Sequence, residues 1–187
     1  MRIAALIFDQ LTPLDVVGPI EVLSRLPGAE ILIVAPDTQP VRDTRTRWVL
    51  VPDRRYDQSG QTDILLIPGG PGVDRLIEDE RLLRWIQRQH EGTTWTTSVC
   101  TGALVLAAAG LLAGRRAATH WQSRAELAAY GVEVVAQRVV LDGKIITSGG
   151  VSAGLDMAFV LAAAIVGEDA AHEIGRAIEY EAVVGAI

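Results

Sequence analysis

The chain has 187 residues, is 49% hydrophobic and carries a formal net charge of −6. That length suits a single domain over residues 1–187 with a sizeable core, and the negative charge argues against a broad nucleic-acid surface, because neutralising phosphates needs clustered cations. No apolar run reaches the roughly 18 residues of a membrane span, and a single cysteine, Cys100, excludes an internal disulfide and a thiolate metal cluster.

The positive charges are nearly all arginine; Lys144 is the only lysine, which leaves little room for Schiff-base or phosphate-loop lysine chemistry. His90, His120 and His172 are far apart and lack paired-ligand spacing, so no metal is expected. The N-terminal apolar run is short and has no small-residue cleavage site, so it reads as a first strand and the compartment as the cytoplasm. The sequence ends at Ile187 without a helix-turn-helix pattern, and direct DNA binding is not expected.

In chain order, "RIAALIF" (2–8) predicts a buried strand and "LDVVGPIEVLSRL" (14–26) a helix, with Pro19 near its start. "AEILIVA" (29–35) predicts a second strand. "RWVLVPD" (47–53) predicts an edge strand or strand end, because of Pro52. "TDILLIPGGPG" (62–72) is a continuous apolar strand running into a glycine loop. Leu76, Leu83 and Ile86 then give a helical period over 73–89. A strand over 93–99 leads to Cys100 and a helix over 102–112 that ends near Gly114. "RAATHW" (116–121) reads as a short strand, 123–131 as a helix, and 132–150 as a hairpin turned by Asp142-Gly143. Helices over 153–167 and 168–181 complete the chain. Continuous apolar strands alternating with helices imply a three-layer α/β/α sandwich on a mostly parallel sheet. Ligands of such folds sit beyond the carboxyl ends of the strands, where the loops around Asp15, residues 68–72 and Cys100 fall.

Cys100 has two readings. It is a buried, inert small hydrophobe, or it is a nucleophile. Strand, single residue, helix is the layout of a nucleophile elbow, and the helix start behind it favours a thiolate. Gly102 leaves room for a tight approach, and the Thr101 amide would point toward anything bonded to the sulfur. Gly69 and Gly70 are either a plain strand-to-helix turn or oxyanion-type donors. Asp15 is either an N-cap or, beside Cys100, half of a pair whose members raise each other's pKa and share one proton. His120, in "THW", is a structural residue beside Trp121 or lines the site. Ile20 and Val151 are placed at the pocket from loop position alone.

The stretches "LDVVGPIEVL", "DILLIPGGPGV", "TSVCTGALVLAAAGLLAGRRAATHW" and "RVVLDGKIITSGGVSAGLDMAFVLA" resemble the ThiJ/PfpI superfamily, whose fold is similar to class I glutamine amidotransferases and flavodoxin-like. The resemblance spans nearly the whole chain and implies one ThiJ/PfpI-like domain. Much of the superfamily has a glutamate near the nucleophile and a histidine after the cysteine. With Asp15 and Thr101 instead, the chain looks like the isocyanide hydratase branch. That implies hydration of R–N≡C to an N-substituted formamide through a thioimidate. Cys100 would attack, Asp15 would supply or steer the proton, and Thr101 would hold their geometry. Amides at Gly70 and Thr101 would lie near the sulfur. It also implies a small-molecule substrate, a homodimer and no cofactor. Two other readings stay open: a glyoxalase- or deglycase-like enzyme acting on reactive carbonyls, and a non-enzymatic redox sensor or ligand-binding regulatory domain using Cys100.

Overall fold

The computed structural model describes residues 1–43 and 45–181; residues 182–187 of the expected domain lie outside the described residues. The elements run β1 (Arg2–Leu6), α1 (Leu14–Leu23), β2 (Glu30–Ala35), β3 (Val41–Arg42), β4 (Val49–Leu50), β5 (Arg54–Arg55), β6 (Ile64–Ile67), α2 (Val73–Leu76), α3 (Glu80–Gly92), β7 (Trp95–Val99) and α4 (Gly102–Ala108). They continue with β8 (Arg116–Ala117), α5 (Arg124–Ala129), β9 (Glu133–Val134), β10 (Val139–Asp142), β11 (Ile145–Ser148), α6 (Ala153–Val166) and α7 (Glu168–Ala177).

Seven strands form the central sheet in the order β10-β11-β7-β6-β1-β2-β5. Every pairing is parallel except β10 with β11. The inner strands are apolar throughout: β1 after its first residue and all of β6 are buried, as a sheet covered on both faces demands. Helix α1 packs on α6 and α6 on α7, while α2, α3 and α5 gather around α4. Both α4 and α6 also touch β7, and the two groups cover opposite faces of the sheet. No helix among the described residues is long and apolar enough to cross a membrane.

The expected three-layer α/β/α architecture is present, and it differs locally from the sequence reading. Residues 47–53 do not form one edge strand. β4 pairs antiparallel with β3 in a separate hairpin, and β5 is the strand at the edge of the main sheet. The helix over 73–89 is two helices, because the Asp79 carboxylate accepts from the Arg81 and Leu82 amides and starts a new one. Pro19 sits inside α1, not at its start, and costs it the amide that would bond to the Asp15 carbonyl. β8 pairs with β9 in a small parallel sheet.

The strand order positions the site. From β1 the chain moves to β2 on one side, and β6 returns to the other side of β1. Order reverses there, and the loops after β1 and β6 diverge to leave a crevice at the carboxyl ends. The loop after β7, the next strand along, carries Cys100.

Gly102 makes the junction possible. A Cβ there would collide with the Ile67 carbonyl oxygen and come within 2.8 Å of the Pro68 oxygen, both backbone atoms that cannot swing away. Gly102→Ala is expected to destabilise the fold by about 3 kcal/mol through this overlap, read as a lowered urea midpoint with the m-value unchanged.

Candidate active site

Cys100 has φ 59°. A left-handed backbone at a residue with a side chain costs roughly 1–2 kcal/mol, and the surroundings hold it there. The Cys100 amide donates to the carbonyls of Ser148 (3.2 Å) and Gly149 (3.1 Å). Its carbonyl accepts from the Thr119 hydroxyl at 2.9 Å. The turn aims the sulfur into the crevice while leaving the residue only 6% exposed.

Asp15 lies in the first turn of α1 and is fully buried. It is not the N-cap: Pro13 holds that position, with no side-chain cap bond. The carboxyl reaches instead across to the loop after β6, where Oδ2 accepts from the Gly69 amide at 3.0 Å. Oδ1 is buried without a hydrogen bond of good geometry. The Cys100 thiol beside the carboxyl lowers its pKa without closing one.

Burial decides the charge state of both groups. It pushes the Asp15 carboxyl up to about 7, against the Gly69 amide and the Cys100 thiol, which pull it down. It pushes the Cys100 thiol up to about 11, helped by the Asp15 charge. The amides of Thr101 and Val151 and the Thr101 hydroxyl act in the opposite sense and fall short. The start of the helix behind Cys100 therefore does not by itself make a free thiolate, because desolvation outweighs it. The two groups titrate as a pair. Between about pH 7 and 11 they hold one proton between them.

The glycine loop serves the pair indirectly. The Gly69 amide is spent on Asp15 and the Gly70 amide on Thr101 Oγ1, at 2.9 Å. Both amides expected as oxyanion donors are thus engaged within the protein, where they tie the loop to Asp15 and to Thr101. A Cβ on Gly69 would lie 2.5 Å from the Thr101 nitrogen, which explains why a glycine stands there. The donors that do face the sulfur are the Thr101 and Val151 amides. Sequence reasoning placed Val151 on a wall and missed its amide. The signal was the run Ser148-Gly149-Gly150-Val151, which turns sharply into α6 with Val151 at φ 50°.

A cavity of 360 Å³ opens over the sulfur, lined by Cys100, Thr101, Gly70, Leu104, His120 and Val151 among others. His120 Nδ1 accepts from the Gln122 amide at 3.4 Å. The ring packs close to Gly150 and stands 5.8 Å from that of Trp121. Ile20 packs partly buried against the core and does not line this cavity. Among the described residues, no group of three or more His, Cys, Asp or Glu side chains is placed to hold a metal ion.

The arrangement can deliver a sulfur nucleophile and one proton to the same small molecule, at the floor of an open cavity, with two amides at the sulfur. Residues 1–164 match the model of the DJ-1/PfpI family. The chain is 42% identical over 180 residues to a protein named isonitrile hydratase from Pseudomonas putida, covering 96% of this chain and 78% of that one. It superposes with TM-score 0.92 on a ThiJ/PfpI family protein from Pseudomonas syringae, at 33% identity over 99% of this chain and 77% of the other. Drosophila melanogaster DJ-1beta shares the fold, with TM-score 0.87 at 21% identity over 96% of this chain and 97% of the other.

Proposed function

The chain belongs to the DJ-1/PfpI family, and from that premise we propose that it is an isocyanide hydratase, a hydro-lyase that converts R–N≡C and water to R–NH–CHO. The observation that carries this reading is the Asp15 carboxyl buried beside the Cys100 sulfur at the floor of a cavity, where burial raises both groups and favours a shared proton. The likeness to the Pseudomonas putida isonitrile hydratase supports it.

The terminal carbon of an isocyanide accepts a nucleophile and then needs a proton. The proton the pair holds serves both demands. When it sits on Asp15, Cys100 is a thiolate stabilised by the Thr101 and Val151 amides. The sulfur forms a bond to the carbon, and Asp15 transfers its proton to that same carbon, giving the thioimidate R–N=CH–S–Cys100. Water then adds to the thioimidate carbon. One of its protons goes to the nitrogen and the other returns to the Asp15–Cys100 pair as the C–S bond breaks, releasing the formamide. Each turnover restores the single shared proton and consumes one water. Thr101 acts as a positioning residue. Its hydroxyl is tied to the Gly70 amide and holds the β6 loop, and with it the Gly69 clamp on Asp15, against the elbow. We place the reaction in the cytoplasm, on small neutral molecules, in a homodimer.

The test follows formamide formation from an alkyl isocyanide across pH. With one proton required, kcat/KM is expected to rise through about pH 7, as the pair loses its first proton, and to fall through about pH 11, as it loses its second. Formamide production with no acidic limb in this range would remove the shared proton from the mechanism. Absence of formamide at any pH, with turnover of methylglyoxal, would replace the hydratase reading by a carbonyl-processing one.

A further inference from the structure

Val151 presents its amide to the sulfur from a strained turn. The loop after β11 runs Gly149-Gly150-Val151-Ser152 into α6, and Val151, a β-branched residue, has φ 50° there. Arg138, the residue before β10, holds this turn at both ends. Its carbonyl accepts from the Gly149 amide at 2.9 Å. Its guanidinium donates through Nη2 to the Ser152 hydroxyl at 3.3 Å, and through Nε to Asp156 Oδ2 at 2.5 Å. Asp156 lies in the first turn of α6. Only Gly150 and Val151 lie between the two attachments. The guanidinium itself does not line the cavity over Cys100.

Resting on the hydratase reading, in which the thiolate attacks, we propose that Arg138 is a positioning residue for that reaction: it fixes the Gly150–Val151 peptide so that the Val151 amide stays aimed at Cys100 Sγ. Two details set its contacts apart from an ordinary surface ion pair. Asp156 is only 6% exposed, and its second oxygen accepts from the Tyr180 hydroxyl at 2.9 Å. The Tyr180 ring in turn stacks on Phe159, so the carboxylate that receives the guanidinium is fixed on both sides. Ser152 stands at the N-cap of α6, where a hydroxyl ordinarily accepts from an amide of the first helical turn. It makes no such bond and accepts from Arg138 instead. The cap is given up for a tie across the turn. Without that tie Val151 can relax toward negative φ, which turns its N–H away from the sulfur. The thiolate then loses one of its two charge-assisted amide bonds, and the one-proton pair holds less of the attacking form.

Cys100 is the only cysteine in the chain, so alkylation by iodoacetamide reports on this sulfur alone. The charged and titratable groups that face it, Asp15 beside it and Arg45, Asp74, His120 and Glu126 around the cavity, are the same in every variant. Arg138→Met is expected to slow alkylation at pH 8 about tenfold and to lower kcat for an alkyl isocyanide by a similar factor, with KM unmoved. Arg138→Lys, which keeps the charge but not the fork, is expected to recover part of the loss. Ser152→Ala removes the tie to the turn and leaves both Asp156 contacts in place; a loss of about threefold is expected. Urea unfolding is followed beside each. Alkylation unchanged or faster in folded Arg138→Met and Ser152→Ala, whatever the urea midpoint, overturns the proposal and leaves Arg138 a fold-stabilising residue. Should Arg138→Met fail to fold, Ser152→Ala decides by the same criterion. The alkylation result stands independently of turnover: an unaltered protein that makes no formamide removes the hydratase reading, while the rate of sulfur attack on iodoacetamide still decides whether Arg138 positions the Val151 amide.

Discussion

Cys100→Ala is expected to lose isocyanide turnover to background, a fall of roughly 10⁴–10⁶-fold in kcat, as removal of a covalent nucleophile does when nothing else can form the bond. Cys100→Ser is expected to be nearly as inactive. The site already pushes a thiol up to about 11 by burial and by the Asp15 charge. An alcohol starts far higher, so the proton would never leave it for Asp15. The fold should survive both changes, because the backbone bonds from the Cys100 amide to Ser148 and Gly149 do not involve the side chain. Formamide release measured beside thermal unfolding checks both halves. A Cys100→Ala protein that retained a tenth of the activity would remove the sulfur from the reaction.

Asp15→Asn should separate activity from stability. Asparagine can still accept the Gly69 amide, so the β6 loop stays clamped, but no proton can be handed to the substrate carbon. A loss of about 10²–10⁴-fold in kcat/KM is expected, the usual worth of a general acid, and with it the loss of the acidic limb near pH 7. Stability should move the other way. The Asp15 carboxyl titrates near 3.8 in the unfolded chain and near 7 when folded. Between those values the native state holds a proton that the unfolded state has lost. Stability therefore falls as pH rises through that window, and above pH 7 the full cost of a buried carboxylate is present. Asparagine escapes it. The variant is expected to gain about 2–4 kcal/mol over the parent at pH 8 and far less at pH 5, compared by urea unfolding. An equal effect at both pH values would mean that Asp15 is not the group whose burial sets this balance.

That trade explains why the chain keeps an expensive residue in its interior. A carboxylate buried with one oxygen unpartnered is costly, and groups perturbed in this way concentrate at functional sites. The strain at Cys100 and the positive φ at Val151 are costs of the same kind, placed at the same few residues. The layered core around them is conventional, with apolar strands buried on both faces.

Local sequence carried the periodic parts of this molecule. β1, β6 and β7 are short apolar or β-branched runs, and their direction and burial follow from period and length. The Asp142-Gly143 turn follows from the conformation a hairpin needs; Gly143 has φ 62°. The junction of β7 with α4 marked Cys100 for the same reason, since a strand that turns at once into a helix leaves one side chain projecting. Errors came where short-range preference competed with something local but non-periodic. Asp79 split one expected helix into two, and the hairpin of β3 with β4 drew residues 49–50 away from the main sheet.

Continuous apolar runs of strand length and the helical periods between them thus marked the layers, the order of elements and the loops that meet at the carboxyl edge, because burial is written residue by residue. The partners of each polar group in those loops were decided only by the folded chain. The Asp15 carboxyl takes its amide from Gly69, 54 residues away. The sulfur takes one of its donors from Val151, beyond the last strand of the sheet. Such pairings, and the pKa values that follow from them, depend on distances between remote segments and on how completely water is excluded, and neither quantity exists until the layers have packed.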